Sequence, residues 1–443
     1  MNDKSITDHE SSCAYRAAIL YFVGDPHQLG EQAWHYHEDG VLWVEDGHIK
    51  AVGPADQVLA LLPQRIPLET FAHHLILPGF IDTHIHYPQT EMIAAYGEQL
   101  LSWLNTYTFP TEMQFADEQY AASVAEVFLD ELLRNGTTTA LVFGTVHPQS
   151  VDAFFQAAQQ RCLRMIAGKV MMDRHAPEGL CDTAEQSYAD SKALIERWHG
   201  VDRLQYAVTP RFAPTSTQQQ LNKAGQLLQE HPGVYLHTHL SENTDEIAWV
   251  HELFPQSKNY LDVYDQAGLL GRRSVFAHGI HLCDDECARL AETASAIAHC
   301  PTSNLFLGSG LLPLDKLQKQ GINIGLGTDV GGGTSFSMLR TLDEAYKIQQ
   351  LRGNTLDPFQ ALYFATLGGA KALDLDQTIG SLQPGFEADF CILDLQATPL
   401  MAFRMAHCRN VRETLFALNT LGDDRCVERT YALGRCVHQK EFK

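Results

Sequence analysis

The residues in this chain that can carry chemistry begin with His84 and His86, which end the stretch Pro78-Gly79-Phe80-Ile81-Asp82-Thr83-His84-Ile85-His86. Alternate residues of a strand share a face, so both imidazoles can address one point while Thr83 and Ile85 face away. By itself the pair is as readily two hydrogen-bonded core histidines as half of a metal site. His239, His278 and Asp329 change the balance, because each ends a later apolar, strand-like run. Five such groups at strand ends are hard to explain as coincidence. Imidazoles with one carboxylate suit a single zinc ion, with a position left for water, and the same donors accept iron. Glu242 lies three residues beyond His239. There a carboxylate can exchange a proton with a metal-activated water without binding the metal. The plainer alternative is a helix N-terminal carboxylate favoured by the dipole.

Elements that could position such a cluster are visible around it. Apolar runs at 80–86, 138–143, 165–172, 204–210, 234–239, 274–278, 295–300 and 322–329 alternate with helix-period segments such as 118–134, 151–162, 216–229 and 284–294. Eight βα units predict an α/β fold, a (β/α)8 TIM barrel, whose active site gathers at the C-terminal ends of the strands. A doubly wound sheet is the alternative, but no Gly-x-Gly-x-x-Gly opens a βα unit. Gly331-Gly332-Gly333 lacks a phosphate-loop lysine and reads as a loop at the barrel mouth. Outside the barrel, residues 40–53 form two short β-runs around Asp46-Gly47, a hairpin signal. Runs at 388–395, 411–417 and 429–437 also read as strands. Neither end has an adequate core alone. The expected organisation is therefore a small β-sandwich-like domain built from 1–76 and 378–443, flanking a barrel over 77–377.

Composition narrows the function. With 32 Lys+Arg against 54 Asp+Glu, the net charge of -22 disfavours nucleic-acid binding, which needs a positive footprint. No basic-then-apolar segment follows Met1-Asn2-Asp3-Lys4-Ser5, so no leader is expected, and no apolar run reaches bilayer-spanning length. The ten cysteines include no Cys-x-x-Cys, and Cys283 and Cys287 sit four apart without a zinc-knuckle context. They read as reduced thiols of a cytoplasmic protein. His237 shares the face of His239 one layer deeper; it either orients a ligand or is a satisfied core histidine. Asp82 lies below His84 in the same sense and reads as orienting or structural. His73, His74, His281 and His299 carry no assignment.

Taken together, Pro78 to His86, His239-Leu240-Ser241-Glu242, His278-Gly279 and Gly327-Thr328-Asp329 resemble the metal-dependent amidohydrolase superfamily. Tyr87-Pro88-Gln89, Thr209-Pro210-Arg211-Phe212, His299-Cys300-Pro301-Thr302-Ser303-Asn304-Leu305 and Thr328 to Gly333 are similar to its guanine-acting branch, and the likeness covers essentially the whole chain. The resemblance implies one zinc per subunit on His84, His86, His239 and Asp329. Glu242 would be the proton shuttle, with His278 and Asp329 completing the catalytic groups. Gln89, Arg211 and Phe212 would meet the purine, bordered by His239, Glu242 and Asp329. Binuclear relatives usually present a carbamylated lysine at the end of strand four; here that strand ends in Thr209 to Phe212, which agrees with one metal. The activity implied is hydrolysis of guanine to xanthine and ammonia in purine catabolism, by a cytoplasmic homodimer. The alternative is a related deaminase or chlorohydrolase acting on another purine or an s-triazine. Arginine donates and cannot accept, so Arg211 suits a 6-oxo rather than a 6-amino purine. Gln89 can do both at a ring edge, and Phe212 can stack.

Overall fold

The computed structural model describes residues 12–96 and 99–441, so the expectation about Met1 to Ser5 lies outside the described residues. Eight parallel strands follow one another around the barrel in chain order. They are β1 (Phe80–His86), β2 (Thr137–Phe143), β3 (Arg164–Gly168), β4 (Gln205–Pro210), β5 (Tyr235–Leu240), β6 (Ser274–His278), β7 (Ala296–His299) and β8 (Asn323–Leu326). After Lys169, β3 continues as Val170–Met171, which also pairs with β4. Helices Glu118–Arg134, Pro148–Gln160, Gln218–Glu230 and Asp284–Glu292 occupy the segments where the apolar period is helical.

The barrel interior is packed rather than open. Ile81, Leu141, Ile166, Ala207, Tyr235, Val275, Ala296 and Ala298 point inward, and Ala370, Ala372 and Leu373 plug the N-terminal end. Tyr235 donates its hydroxyl to Leu373 O at 2.6 Å, which satisfies the one polar group of that plug residue pair. The open end of the barrel is therefore the end where the strands finish.

Closure between β8 and β1 relies on side-chain and loop hydrogen bonds. Thr83 Oγ1 donates to Leu326 O at 3.0 Å, Asp329 N to His84 O at 2.9 Å, and His86 N to Val330 O at 3.0 Å. Asp82 accepts from Thr328 N and from Thr328 Oγ1 across the same seam. Glycine makes the approach possible. A Cβ on Gly325 would lie 2.3 Å from Thr83 Cγ2, and one on Gly327 would lie 2.9 Å from His84 Cβ.

The two chain ends meet in one continuous seven-stranded sheet, and this is the form the sandwich-like domain takes. Its order is Arg435–Gln439, Val427–Ala432, Phe390–Asp394, Leu68–Pro78, Ser12–Phe22, Trp34–Glu45 and His48–Pro54. The Asp46-Gly47 hairpin forms, with φ of 49° and 77° at the two turn residues. Residues 411–417 differ from expectation: they belong to the helix Val411–Leu421, not to a strand. The side chain of Asn410 accepts from Glu413 N at 3.0 Å and caps it, and Leu415 and Leu418 form its buried stripe. Short β-prone residues hid a helix signal carried by that cap. The sheet is tied to the barrel through Arg203, which pairs with Asp389 in a buried contact, and through Thr430 Oγ1, which donates to Leu133 O at 2.7 Å.

If the β8–β1 seam is as tight as this, Gly325→Ala forces an overpacked contact worth about 1–3 kcal/mol. Its urea-unfolding midpoint is expected to fall at unchanged slope; a wild-type midpoint would show that the seam has slack.

Candidate active site

Each predicted metal-site residue reaches the mouth from a strand end. His84 and His86 finish β1, His239 lies one residue before the end of β5, His278 ends β6, and Asp329 lies just past β8. Nε2 of His84 and Nε2 of His86 are 3.2 Å apart, and Nε2 of His239 is 3.3 Å from that of His86. Asp329 Oδ1 lies 3.1 Å from His84 Nε2 and 3.3 Å from His86 Nε2. Donors bound tetrahedrally to zinc at about 2.0–2.1 Å stand about 3.3 Å apart, the size of these four spacings; His84, His86 and His239 form one donor group, and Asp329 shares His84 with a second that includes His278 and Cys300. His86 Nδ1 has no hydrogen-bond partner among the described residues, so Nε2 is the nitrogen that the surroundings commit to the cluster.

Charge states agree with a metal-binding set. Burial drives His84 and His239 below the usual imidazole range and takes His86 down to about 3, leaving neutral rings with lone pairs to give. Asp329 would be raised by burial, but His84 and His86 beside it hold it well below the usual carboxylate range. The surrounding bonds set ring orientation. His84 Nδ1 is 2.7 Å from His237 Nε2, and His239 Nδ1 is 2.7 Å from Arg211 O. His237 is thus the partner of a cluster residue. Asp82 accepts from His84 N at 3.1 Å; burial pushes its carboxyl up to about 7. Cys300 also lies near His84, His278 and Asp329, but burial raises its thiol well above its ordinary value and Sγ is directed at Ala298 O.

Two site residues hold backbone that side chains rarely adopt. His278 has φ 71° and Asp329 has φ 52°, both left-handed, and each turns a side chain back over the barrel mouth at the end of its strand. His278 Nδ1 is 2.9 Å from Asn304 Oδ1, which aims Nε2 at Glu242 Oε2 (3.4 Å) and Asp329 Oδ2 (3.7 Å).

Glu242 is not the capping carboxylate of the next helix. That part falls to Glu246, which accepts from Asn243 N at 3.1 Å and from Glu242 N at 3.0 Å in a capping box. Glu242 instead enters the cavity, where Ser309 Oγ donates to its Oε1 at 2.9 Å. His281 Nε2 in turn lies 2.8 Å from Ser309 O. Burial, assisted by the charge of Asp329, pushes Glu242 up to about 8 against the opposing Ser309 bond.

The cavity is lined by the polar groups His86, His239, Glu242, His278, Asp329, Gln89 and Arg211 together with Phe212, Trp103 and Leu307. A planar heterocycle fits this mixture of a few polar groups on apolar walls. The sequence did not reveal Glu112, Trp103, Phe143, Asn304 or Ser309. Phe143 ends β2 and packs its ring 4.6 Å from that of His86 and 4.7 Å from that of His239, beneath the cluster. Trp103 and Glu112 come from the segment between β1 and the helix Glu118–Arg134, whose described part from Leu100 to Ala116 is a run of short helical turns, one of them the π-turn Leu104–Thr108. The signal available was length: a βα connection of about 30 residues is far beyond the usual range and is a mark of function. Lys169, the lysine nearest the end of β3, is buried in an ion pair with Asp182 and does not join the cluster.

Comparison with known proteins agrees with this geometry. The Amidohydrolase family profile matches residues 75–437. Guanine deaminase of Escherichia coli K12 is 53% identical over 418 residues, covering 94% of this chain and 95% of that protein. The solved structure of E. coli guanine deaminase superposes with TM-score 0.93 at 50% identity, over 98% of this chain and 100% of the other. The guanine deaminase of C. acetobutylicum, solved with guanine bound in the active site, gives TM-score 0.87 at 28% identity over 96% and 100% of the two chains.

His237→Phe is expected to leave the fold intact and weaken metal affinity about 10- to 100-fold, because it removes the partner that fixes His84. Competition with a chromogenic chelator measures this. Unchanged affinity would make His237 a packing residue only.

Proposed function

We propose that this chain, which belongs to the amidohydrolase family, catalyses the hydrolytic deamination of guanine to xanthine and ammonia. The observation that carries the reading is one cavity shared by a proton-carrying carboxylate, a His/Asp cluster and an Arg/Gln pair able to read a purine edge. The relatives named guanine deaminase at high identity, and the related structure with guanine bound, support the same substrate.

His84, His86, His239 and Asp329 would hold a single zinc ion; neutral imidazoles and an ionised carboxylate are the donors zinc prefers. When bound, such an ion supplies a Lewis acid that brings the pKa of water to about 7. The residues of the chain do the rest. Arg211 and Gln89 bind the oxo-bearing edge of the base and Phe212 covers its face, so that C2 is turned to the cluster. Glu242 takes one proton from the attacking water as its oxygen bonds to C2, and delivers it to the adjacent ring nitrogen. A second proton leaves the added hydroxyl through the same carboxylate and goes to the exocyclic amine. The C2–N bond breaks, ammonia departs and a carbonyl remains, so water's two protons are both accounted for. Burial raises the proton affinity of Glu242 above that of an exposed carboxylate, and a cation held by the neighbouring cluster would favour its ionised form, so the group suits both acceptance and return of a proton. His278, held by Asn304, steadies the water and the oxygen that develops charge.

The cytoplasm is the proposed compartment, supported by the buried free thiols of Cys287, Cys300, Cys391 and Cys426, which suit a reducing environment. Among the described residues no helix is long and apolar enough to cross a membrane. A homodimer is proposed on the family resemblance.

Ammonia release and ultraviolet absorbance with guanine, adenine, cytosine and ammeline as separate substrates test the reading. Guanine is expected to be consumed and adenine to be left intact; conversion of adenine in preference to guanine would sink the assignment of Arg211. Glu242→Gln is expected to lower kcat about 10²- to 10⁴-fold with metal content retained. Full activity in that variant would remove Glu242 from proton transfer.

A further inference from the structure

The two residues that read the base are held by one carboxylate that the reaction does not use. Arg211 Nη1 donates to Glu112 Oε1 at 3.0 Å and to Oε2 at 2.8 Å. Gln89 Nε2 donates to the same Oε1 at 3.2 Å. Glu112 is fully buried, at the end of the turn Phe109–Glu112 in the long connection after β1. We propose that Glu112 is the positioning residue for base recognition, presenting Arg211 and fixing the amide of Gln89 so that the pocket selects a neutral 6-oxo purine. This rests on the substrate reading above.

An amide side chain is nearly symmetric in shape, and only its neighbours distinguish its oxygen from its nitrogen. Gln89 has an anionic acceptor on one side and Gly331 N, donating to its Oε1 at 3.2 Å, on the other. Turned over, its oxygen would face the Glu112 carboxylate and its NH2 would face the Gly331 N–H. Glu112 therefore sets which end of Gln89 a ligand meets. Each end keeps unused capacity, one N–H and one lone pair, for a ring edge that both accepts and donates.

The same bond orients Arg211. Its Cζ sits 5.5 Å from the centre of the Phe109 ring, and Nη1 is committed to Glu112. Nε and Nη2 donate to no acceptor among the described residues, while the side chain lines the cavity. That leaves an open donor edge for a carbonyl oxygen and a ring nitrogen. Charge follows from the pairing. A buried lone guanidinium would call for an anion; neutralised by Glu112, it asks only for neutral acceptors.

Glu112→Gln keeps the size and removes the charge. The test compares the KM for guanine with the inhibition constant of 2-aminopurine, which keeps the C2 amine and lacks the 6-oxo group. Selectivity, the ratio of the second constant to the first, is expected to fall about tenfold, carried by the KM for guanine with kcat changed far less. Zinc content and unfolding midpoint are measured alongside. Equal weakening of both compounds, or an unchanged ratio, would overturn the proposal, because a purely structural defect moves both alike. Should Glu112→Gln fail to accumulate folded, Glu112→Asp carries the same comparison and criterion, since a side chain one methylene shorter cannot span both partners. Wild-type protein that releases no ammonia from guanine would overturn the substrate reading and this inference with it. An active wild type with unaltered selectivity in the variant would overturn this inference alone.

Discussion

An ionised carboxylate inside a barrel mouth is costly unless polar groups or a cation offset it, and Asp329 stands 3.1 and 3.3 Å from Nε2 of His84 and His86, where it completes a donor set suited to a cation. That contact crosses the β8–β1 seam, the last junction of the barrel, so the electrostatic centre and the closure of the fold are the same piece of structure. Asp82 ties the seam one layer below, Gly325 and Gly327 let the strands approach, and the left-handed backbone at Asp329 turns its carboxylate inward. The imidazole of His239 then adds a donor from the opposite part of the strand series without any change of scaffold.

A charge pair, Arg211 with Glu112, stands beside the cavity that Arg211 lines. The Asp329 cluster sets neutral imidazoles around a carboxylate, a donor set suited to a cation; Glu112 neutralises a guanidinium whose Nε and Nη2 keep free donors among the described residues. Glu242 lines the same cavity, freed from helix capping by Glu246 and held by Ser309. Its raised proton affinity follows from burial beside Asp329, so the seam also bears on the proton affinity of Glu242.

Much of this was legible in the sequence because strand period and strand ends coincide with chemistry. His84 and His86 announce a shared face, and His239, His278 and Asp329 each close an apolar run of the right length. Gln89, Arg211 and Phe212 needed the family resemblance, since a single glutamine in a loop carries no pattern of its own. Glu112 was not legible at all: it meets Arg211 and Gln89 through contacts distant in the chain, and only the length of its connection hinted at it. Asn304 and Ser309 act on His278 and Glu242 through contacts distant in the chain, which periodicity does not report. The segment 411–417 was read as strand because β-branched and aromatic residues outweighed the Asn410 cap that makes it a helix.

On this reading one ion, held by His84, His86, His239 and Asp329, makes the chain a catalyst. Titrating zinc into chelator-treated protein while measuring bound metal and guanine turnover tests it most directly. Activity is expected to rise in proportion to bound zinc and to saturate at about one equivalent per chain, as a single donor set requires. Full turnover by metal-free protein, or a second equivalent needed for activity, would contradict it.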